Sequence, residues 1–210
     1  MRRSSFLGIL AIIGTTALLS ACASTTVTAV WRDDAYAGMP HKALVILVSD
    51  QPVIMRVFED DFARQLKARG VEAVPGYSLL PMDRKLDKDE IAAATEKMNA
   101  DTLFMTRLVD KQSYETYYPG SVYASHAGPP GYGWRDSYAR GYTSYQATPG
   151  YTVQQNILYI ETQLYDVKTG NLIWSVMTKT VVEDFKESEV RAFVKVIMKN
   201  LTKKGLLPNP

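Results

Sequence analysis

The sequence predicts an α/β fold: one mixed-sheet sandwich in the order β-α-β-α-β-insertion-β-β-α, with a long β-hairpin in its C-terminal half. Three observations carry this. An unbroken apolar run at 42–48 is followed at once by a helix-periodic stretch, a second amphipathic helix lies near the C-terminus, and residues 153–182 alternate strictly about a glycine-containing turn. Helical crossovers between apolar runs favour parallel strands joined right-handedly, whereas the strands of a hairpin are antiparallel.

In chain order, Val27–Trp31 is β-branched and aromatic, the pattern of a short edge strand, and Asp33–Pro40 is turn material. Lys42–Val48, KALVILV, reads as a strand buried on both faces. Ser49 or Asp50 is placed to cap the next helix, with Pro52 in its first turn. Ile54, Phe58, Phe62 and Leu66 recur every four residues, flanked by Val53 and Val57, and Gly70 ends the pattern. The acidic run Glu59-Asp60-Asp61 is expected on the solvated outer face of this helix. Val71–Val74 is a second strand. Asp87 and Glu90 make a capping-box start to a short helix with Ile91, Ala94 and Met98 inward, and Thr102–Val109 is the next strand. In the hairpin, Asn156, Leu158, Ile160, Thr162 and Leu164 share one side, and Leu172, Trp174, Val176, Thr178, Thr180 and Val182 return. The last helix spans about Glu187 to Lys204, with Val190, Phe193, Val194, Ile197 and Leu201 on one face and Gly205 as its stop.

The first 24 residues organise the chain's biology. Arg2 and Arg3 precede an apolar run from Phe6 to Leu19, and small residues surround Cys22. A basic head, short apolar middle and small-residue exit make a signal peptide; the interrupted run falls short of the ~20 apolar residues of a membrane span. Leu19-Ser20-Ala21-Cys22 resembles the lipobox of bacterial lipoproteins. That resemblance implies cleavage after residue 21 and acylation of Cys22 on its sulfur and its new amine, with Ala23 directing export to the outer membrane, facing the periplasm. Ala21-Cys22-Ala23 also fits ordinary A-x-A cleavage, which would release a soluble protein. Two or three acyl chains make an effectively permanent anchor, one only a reversible one. Residues 22–40 then form a short tether and edge strand, and 41–205 the domain. If Val27–Trp31 joins the sheet, the domain sits close to its membrane.

Charge and cysteine usage exclude several function classes. The chain has 24 basic and 22 acidic residues. Arg2 and Arg3 leave with the leader, so the mature 189 of 210 residues balance at 22 of each, and bulk charge gives no reason to expect nucleic acid as a partner. Cys22 is the single cysteine, so once it is acylated there is no disulfide, thiolate nucleophile or cysteine metal site. His41, at a strand entrance, and His126, in the insertion, are the two histidines, so a His-rich metal site or a histidine base beside a nucleophile is barely available, and His41 reads as an ordinary strand-edge residue. No phosphate-binding glycine loop, nucleophile elbow or zinc-protease motif occurs, and no cofactor or small-molecule substrate is indicated.

Two features remain. Residues 112–151 break the periodicity, holding nine of thirteen tyrosines together with six glycines and four prolines. Long irregular insertions are usually functional or disordered, and tyrosine spaced by glycine and serine builds adaptable contact surfaces. Tyr117, Tyr118, Tyr123, Tyr132, Trp134, Tyr138 and Tyr142 are the candidate contacts. The alternatives are a low-complexity hairpin tip, a protein or membrane-interface contact, and stacking on sugars. Excision of 114–150 is expected to leave the fold intact. On the last helix, Arg191, Lys195, Lys199 and Lys203 fall every four residues, either a solvated face favourable to the helix dipole or a stripe for an anionic surface.

Leu164-Tyr165-Asp166, Thr169-Gly170 and Leu172-Ile173-Trp174-Ser175, with the lipobox, VWRDDAY at 30–36 and FEDDFARQLKARGVEAVP at 58–75, resemble a family of proteobacterial envelope lipoproteins. More distantly, the element order is similar to the curli-secretion lipoprotein, the outer-membrane activator of a peptidoglycan synthase and the N-terminal domain of the Tol-system β-propeller protein. The resemblance implies a non-catalytic module that binds envelope proteins or self-associates. The chain lacks the Pro-rich tether of the activator and the pore-forming segments of the curli protein, so neither specific function transfers. The expectation is a membrane-anchored binding or assembly module; the rivals are a homo-oligomeric structural component and a glycan-acting enzyme with paired carboxylates.

Overall fold

A computed structural model of the chain describes residues 24–125, 144–182 and 186–208. Residues 1–23, among them Cys22 and the expected leader, and His126, Tyr132, Trp134, Tyr138 and Tyr142 lie outside the described residues. The elements are β1 (Ser24–Arg32), β2 (Lys42–Val48), α1 (Pro52–Lys67), β3 (Glu72–Pro75), a 3-10 turn (Gly76–Ser78), α2 (Lys88–Lys97), β4 (Thr102–Tyr118), β5 (Val122–Ser125), β6 (Ser144–Ala147), β7 (Tyr151–Asp166), β8 (Leu172–Val182) and α3 (Glu187–Lys203). Six strands form one mixed sheet in the order β1-β8-β7-β4-β2-β3, and β5 and β6 form a separate pair. β2 runs parallel to β3 and β4, as the helical crossovers require, while β4, β7, β8 and β1 are antiparallel neighbours.

α1 and α3 cover one face of the sheet. Phe58 meets Phe62 at 5.4 Å and Phe193 at 6.1 Å between ring centroids, and Phe62 meets Phe104 of β4 at 5.1 Å. With Val45, Leu164, Trp174, Ile197 and Leu201 these make the main core. On the other face α2 sets Ala94, Ile91 and Met98 against Leu44 and Ile46. β2 is therefore sandwiched, which is why its sequence is apolar without alternation.

The predicted strands and helices are present, with differences that have physical causes. α1 starts at Pro52, and neither Ser49 nor Asp50 caps it: the N-cap is Gln51, with no side-chain cap bond. Proline fills the first helical position without losing a hydrogen bond, and Ser49 Oγ instead accepts from the Gln51 N–H at 3.1 Å. Val53, counted on the apolar face, is exposed. The Asp87–Glu90 capping box of α2 forms in full, and the Arg84 guanidinium paired with Glu90, helped by the Asp87 amide, holds the Glu90 carboxyl down to about 2. α3 ends in the expected glycine stop. Gly205 takes φ +71°, its N–H reaches the Thr202 carbonyl at 3.0 Å and the Leu206 N–H reaches Leu201 at 3.0 Å, which is a Schellman motif. The short tail beyond it is part of the core through Leu206 and Leu207.

The acidic run of α1 is a correction. Glu59 is 1% exposed and Asp61 5%. Asp61 is satisfied within the helix by Arg64 and by Gln65 Nε2, the latter at 2.7 Å. Glu59 points inward because two backbone amides need it: its carboxylate accepts from the Leu47 N–H and the Tyr77 N–H, each at 2.8 Å. Gly76 permits this approach, since a Cβ there would meet the Val45 carbonyl at 2.9 Å. Burial, outweighing the amide hydrogen bonds, pushes the Glu59 carboxyl up to about 7.

β4 is also longer than its apolar run suggests. It continues through the Tyr-rich segment to Tyr118, paired residue by residue with β7 as far as Tyr151. Residues 112–118 are thus strand rather than loop, and the irregular part of the insertion is shorter. Replacing 119–150 by a tight turn is expected to shift Tm by less than about 4 °C, because that excision spares the β4–β7 ladder. A circular-dichroism melt checks it.

Candidate interaction surface

The site follows from which side of the sheet each residue faces. Residues alternate between faces along a strand, and the bulge after Leu108 keeps the alternation in register along β4 and β7. One side carries Thr106, Leu108, Lys111, Ser113 and Glu115 of β4. The other carries Met105, Arg107, Gln112, Tyr114, Thr116 and Tyr118, opposite Gln163, Glu161, Ile157, Gln155, Val153 and Tyr151 of β7. α2 covers this second face only over β2 and the start of β4. Across β7, β8 and β1 no described helix lies on it, and Tyr159, Tyr165, Met177 and Val181 stay half-buried while Trp31 is 51% exposed.

At its centre this open face holds a polar ladder. Glu161 Oε2 pairs with Arg107 Nη2 at 2.7 Å, Ser175 Oγ and Gln163 Nε2 donate to Glu161 Oε1 at 3.0 and 3.2 Å, and the Tyr165 hydroxyl donates to Gln163 at 2.9 Å. Burial chiefly, and the Glu161 charge second, push the Tyr165 phenol up. Every member has a partner, so the ladder is a finished surface. Beyond it β4 and β7 continue as a two-stranded arm.

The arm is made by β4 and β7 running past their neighbours. β2 pairs with β4 only as far as Arg107, and β8 pairs with β7 only from Asn156 on, so among the described residues the β4 edge from Leu108 to Tyr118 has no strand beside it. A bare two-stranded ribbon is marginally stable in water. Here it is reinforced by stacking of Tyr118 on Tyr151 at 5.2 Å, by the Tyr114 hydroxyl donating to Gln112 at 2.8 Å and by the Ser113–Asn156 bond at 2.7 Å. Tyr114, Tyr117, Tyr118 and Tyr151 are all exposed, Tyr117 at 65%. An open cavity of about 360 Å³ lies at the same end, between the first turns of α1 and α3 and the sheet, walled by Ile54, Phe58, Leu158, Ile160 and Phe193 with Lys111 on its polar side.

Of the candidate contacts, Tyr118 lies on the open face and Tyr117 on the opposite side of the arm, with Tyr123 in β5 beyond it. Arg191, Lys195, Lys199 and Lys203 are all exposed along α3, with Arg191 paired to Glu187. They belong to the helical layer, so the structure separates this stripe from the tyrosine face by the thickness of the sheet. His41 is exposed at the entrance of β2. Among the described residues no group of His, Cys, Asp or Glu is arranged to hold a metal, and no helix is long and apolar enough to cross a membrane.

Sequence reasoning did not single out the open sheet face. Its signal was the outward set of the hairpin, Tyr159, Gln163, Tyr165 and Met177, where a fully solvated strand would carry more lysine and glutamate.

No family model matches the sequence and no curated protein matches it, so the motif-level resemblance to envelope lipoproteins has no family-level support. Among solved structures, the chain is similar to the PelC dodecamer from Paraburkholderia phytofirmans, at 14% identity, with 84% of this chain aligned to 96% of that one and a TM-score of 0.43. It is similar to lipoprotein GNA1162 from Neisseria meningitidis at 10% identity, 78% against 99% coverage and a TM-score of 0.41. A PDZ domain protein from Parabacteroides distasonis follows at 13% identity, 83% against 34% coverage and a TM-score of 0.36. Likenesses at this level carry no argument about what this chain does.

Proposed function

We propose that the chain is a lipid-anchored envelope protein, acylated at Cys22 and held at the outer membrane facing the periplasm, whose domain is a non-catalytic binding or assembly module. The observation that carries this reading is the open sheet face with its tyrosine-bearing arm, where Trp31, Tyr114, Tyr118 and Tyr151 are exposed on a domain whose core cluster does not include them. Exposed aromatic side chains grouped on one face suit an interaction site. A non-catalytic role is supported by Glu59, the most perturbed buried carboxyl, having both oxygens occupied by backbone amides. Self-association is a second reading, favoured by the unpaired β4 edge from Leu108 to Tyr118, since free strand edges pair readily with other chains.

The test is cell fractionation with labelled palmitate, comparing the native chain with Cys22→Ser. Label in the outer membrane that is lost in the variant, together with release of the variant from the membrane fraction, is the expected result. A native chain that is unlabelled and soluble would overturn the anchor.

A further inference from the structure

We infer that the aromatic face of the arm lies on the lipid surface to which the chain is anchored. The inference rests on the lipid-anchor reading and adds what the anchor holds against the membrane. Topology supplies the argument. β1 enters the sheet at Ser24, which is level with Val181 of β8; Val181 is level with Ile157 of β7, and Ile157 with Gln112 of β4. The point where the chain enters the domain and the start of the arm are therefore at the same end of the sheet. The opposite end holds the β7–β8 turn and the C-terminus of α3, which Arg32 fastens through the Lys204 carbonyl.

The lengths then decide the geometry. Cys22 precedes Ser24 by two residues, a reach of at most about 7 Å. From Gln112 the arm continues six residues to Tyr118, about 20 Å beyond that level at ~3.4 Å per residue. A tether shorter than the arm cannot hold the arm clear of the bilayer, so the arm meets the lipid surface and one of its faces lies down on it. The two faces differ in what they offer. One presents Lys111, Ser113, Glu115 and Asn156 with a single tyrosine, Tyr117; the other presents three tyrosines, Tyr114, Tyr118 and Tyr151, with Val153 and Ile157.

Tyrosine is suited to the headgroup boundary, with its ring against acyl chains and its hydroxyl among polar groups. The unpaired β4 edge sets the depth. Carrying free N–H and C=O groups into the hydrocarbon is costly, so the ribbon lies in the interface and does not cross it. The cationic stripe of α3, in the layer on the other side of the sheet, plays no part in this contact.

The experiment uses the full acylated chain, purified in detergent and reconstituted into phosphatidylethanolamine–phosphatidylglycerol vesicles. Cys22 is the only cysteine, so Thr116→Cys, on the exposed tyrosine side of the arm, accepts a single nitroxide. Lys168→Cys, exposed in the turn at the far end, is the reference. Flotation of each sample reports the anchor, and the ratio of collisions with oxygen to collisions with a water-soluble nickel chelate reports lipid contact. The expected result is a ratio severalfold higher at residue 116 than at residue 168. Chains that float yet give equal ratios at the two positions would overturn the inference and leave the anchor standing. Chains that fail to float would remove both. Spin–spin broadening at residue 116 in floated vesicles would place a second copy on this face and overturn its assignment to lipid.

Discussion

Glu59→Gln is expected to abolish a fall in stability that the native chain shows between about pH 4.5 and pH 7. The Glu59 carboxyl titrates near 4.5 when unfolded and is pushed up to about 7 by burial in the folded state. Between those values the folded protein holds a proton that the unfolded chain has lost, so the native state loses stability as pH rises. The contribution is fully present below about pH 4.5 and gone above about pH 7. Two and a half units correspond to about 3 kcal/mol. Glutamine cannot titrate, so the slope disappears; it also has one acceptor oxygen where the carboxylate has two. Either the Leu47 or the Tyr77 N–H then faces an amide nitrogen, and the unpaired buried donor costs about 1–3 kcal/mol at every pH. Urea midpoints at pH 5 and pH 7.5 for the two proteins separate the effects. An unchanged slope in the variant would show that another group is responsible.

Trp174→Ala is expected to cost about 3–5 kcal/mol, lowering Tm by about 6–20 °C at ~2–4 °C per kcal/mol. The indole is fully buried in the main core, and a bulge opposite Leu164 and Tyr165 lets Ile173 and Trp174 both enter it. Its Nε1–H donates to Asn200 Oδ1 of α3 at 3.2 Å, so the side chain both fills the layer between sheet and helix and fixes the helix's position along it. Asn200→Ala separates the two roles. It leaves the ring in place and the donor unpaired, and should cost about 1–3 kcal/mol. Thermal and urea unfolding of both variants check this, and a Trp174→Ala loss under about 1 kcal/mol would mean the site collapses to fill the space.

Much of the architecture was legible because local chemistry and long-range packing agree along most of the chain. The period-four face of α1, the capping box at Asp87, the glycine at 205 and the alternation of β7 and β8 each report where the core lies. The candidate surface was only partly legible. Tyrosine content marked the segment 112–151, yet tyrosine, threonine and glutamine on both faces of a ribbon carry no alternation, so the continuation of β4 to Tyr118 could not be read from it. Glu59 was unreadable for a related reason. A carboxylate beside two aspartates looks solvated in one dimension, and the amides of Leu47 and Tyr77 that draw it inward come from other elements.

The sequence by itself determined the strand and helix order and the parallel and antiparallel halves, because each depends on neighbours within a few residues. Only the tertiary structure decided that the entry of β1 and the tyrosine arm share one end, that the cationic stripe lies across the sheet from Tyr114, Tyr118 and Tyr151, and that Glu59 is buried. Those follow from strand pairing over more than a hundred residues, such as Ser24 with Val181, and no local pattern encodes them.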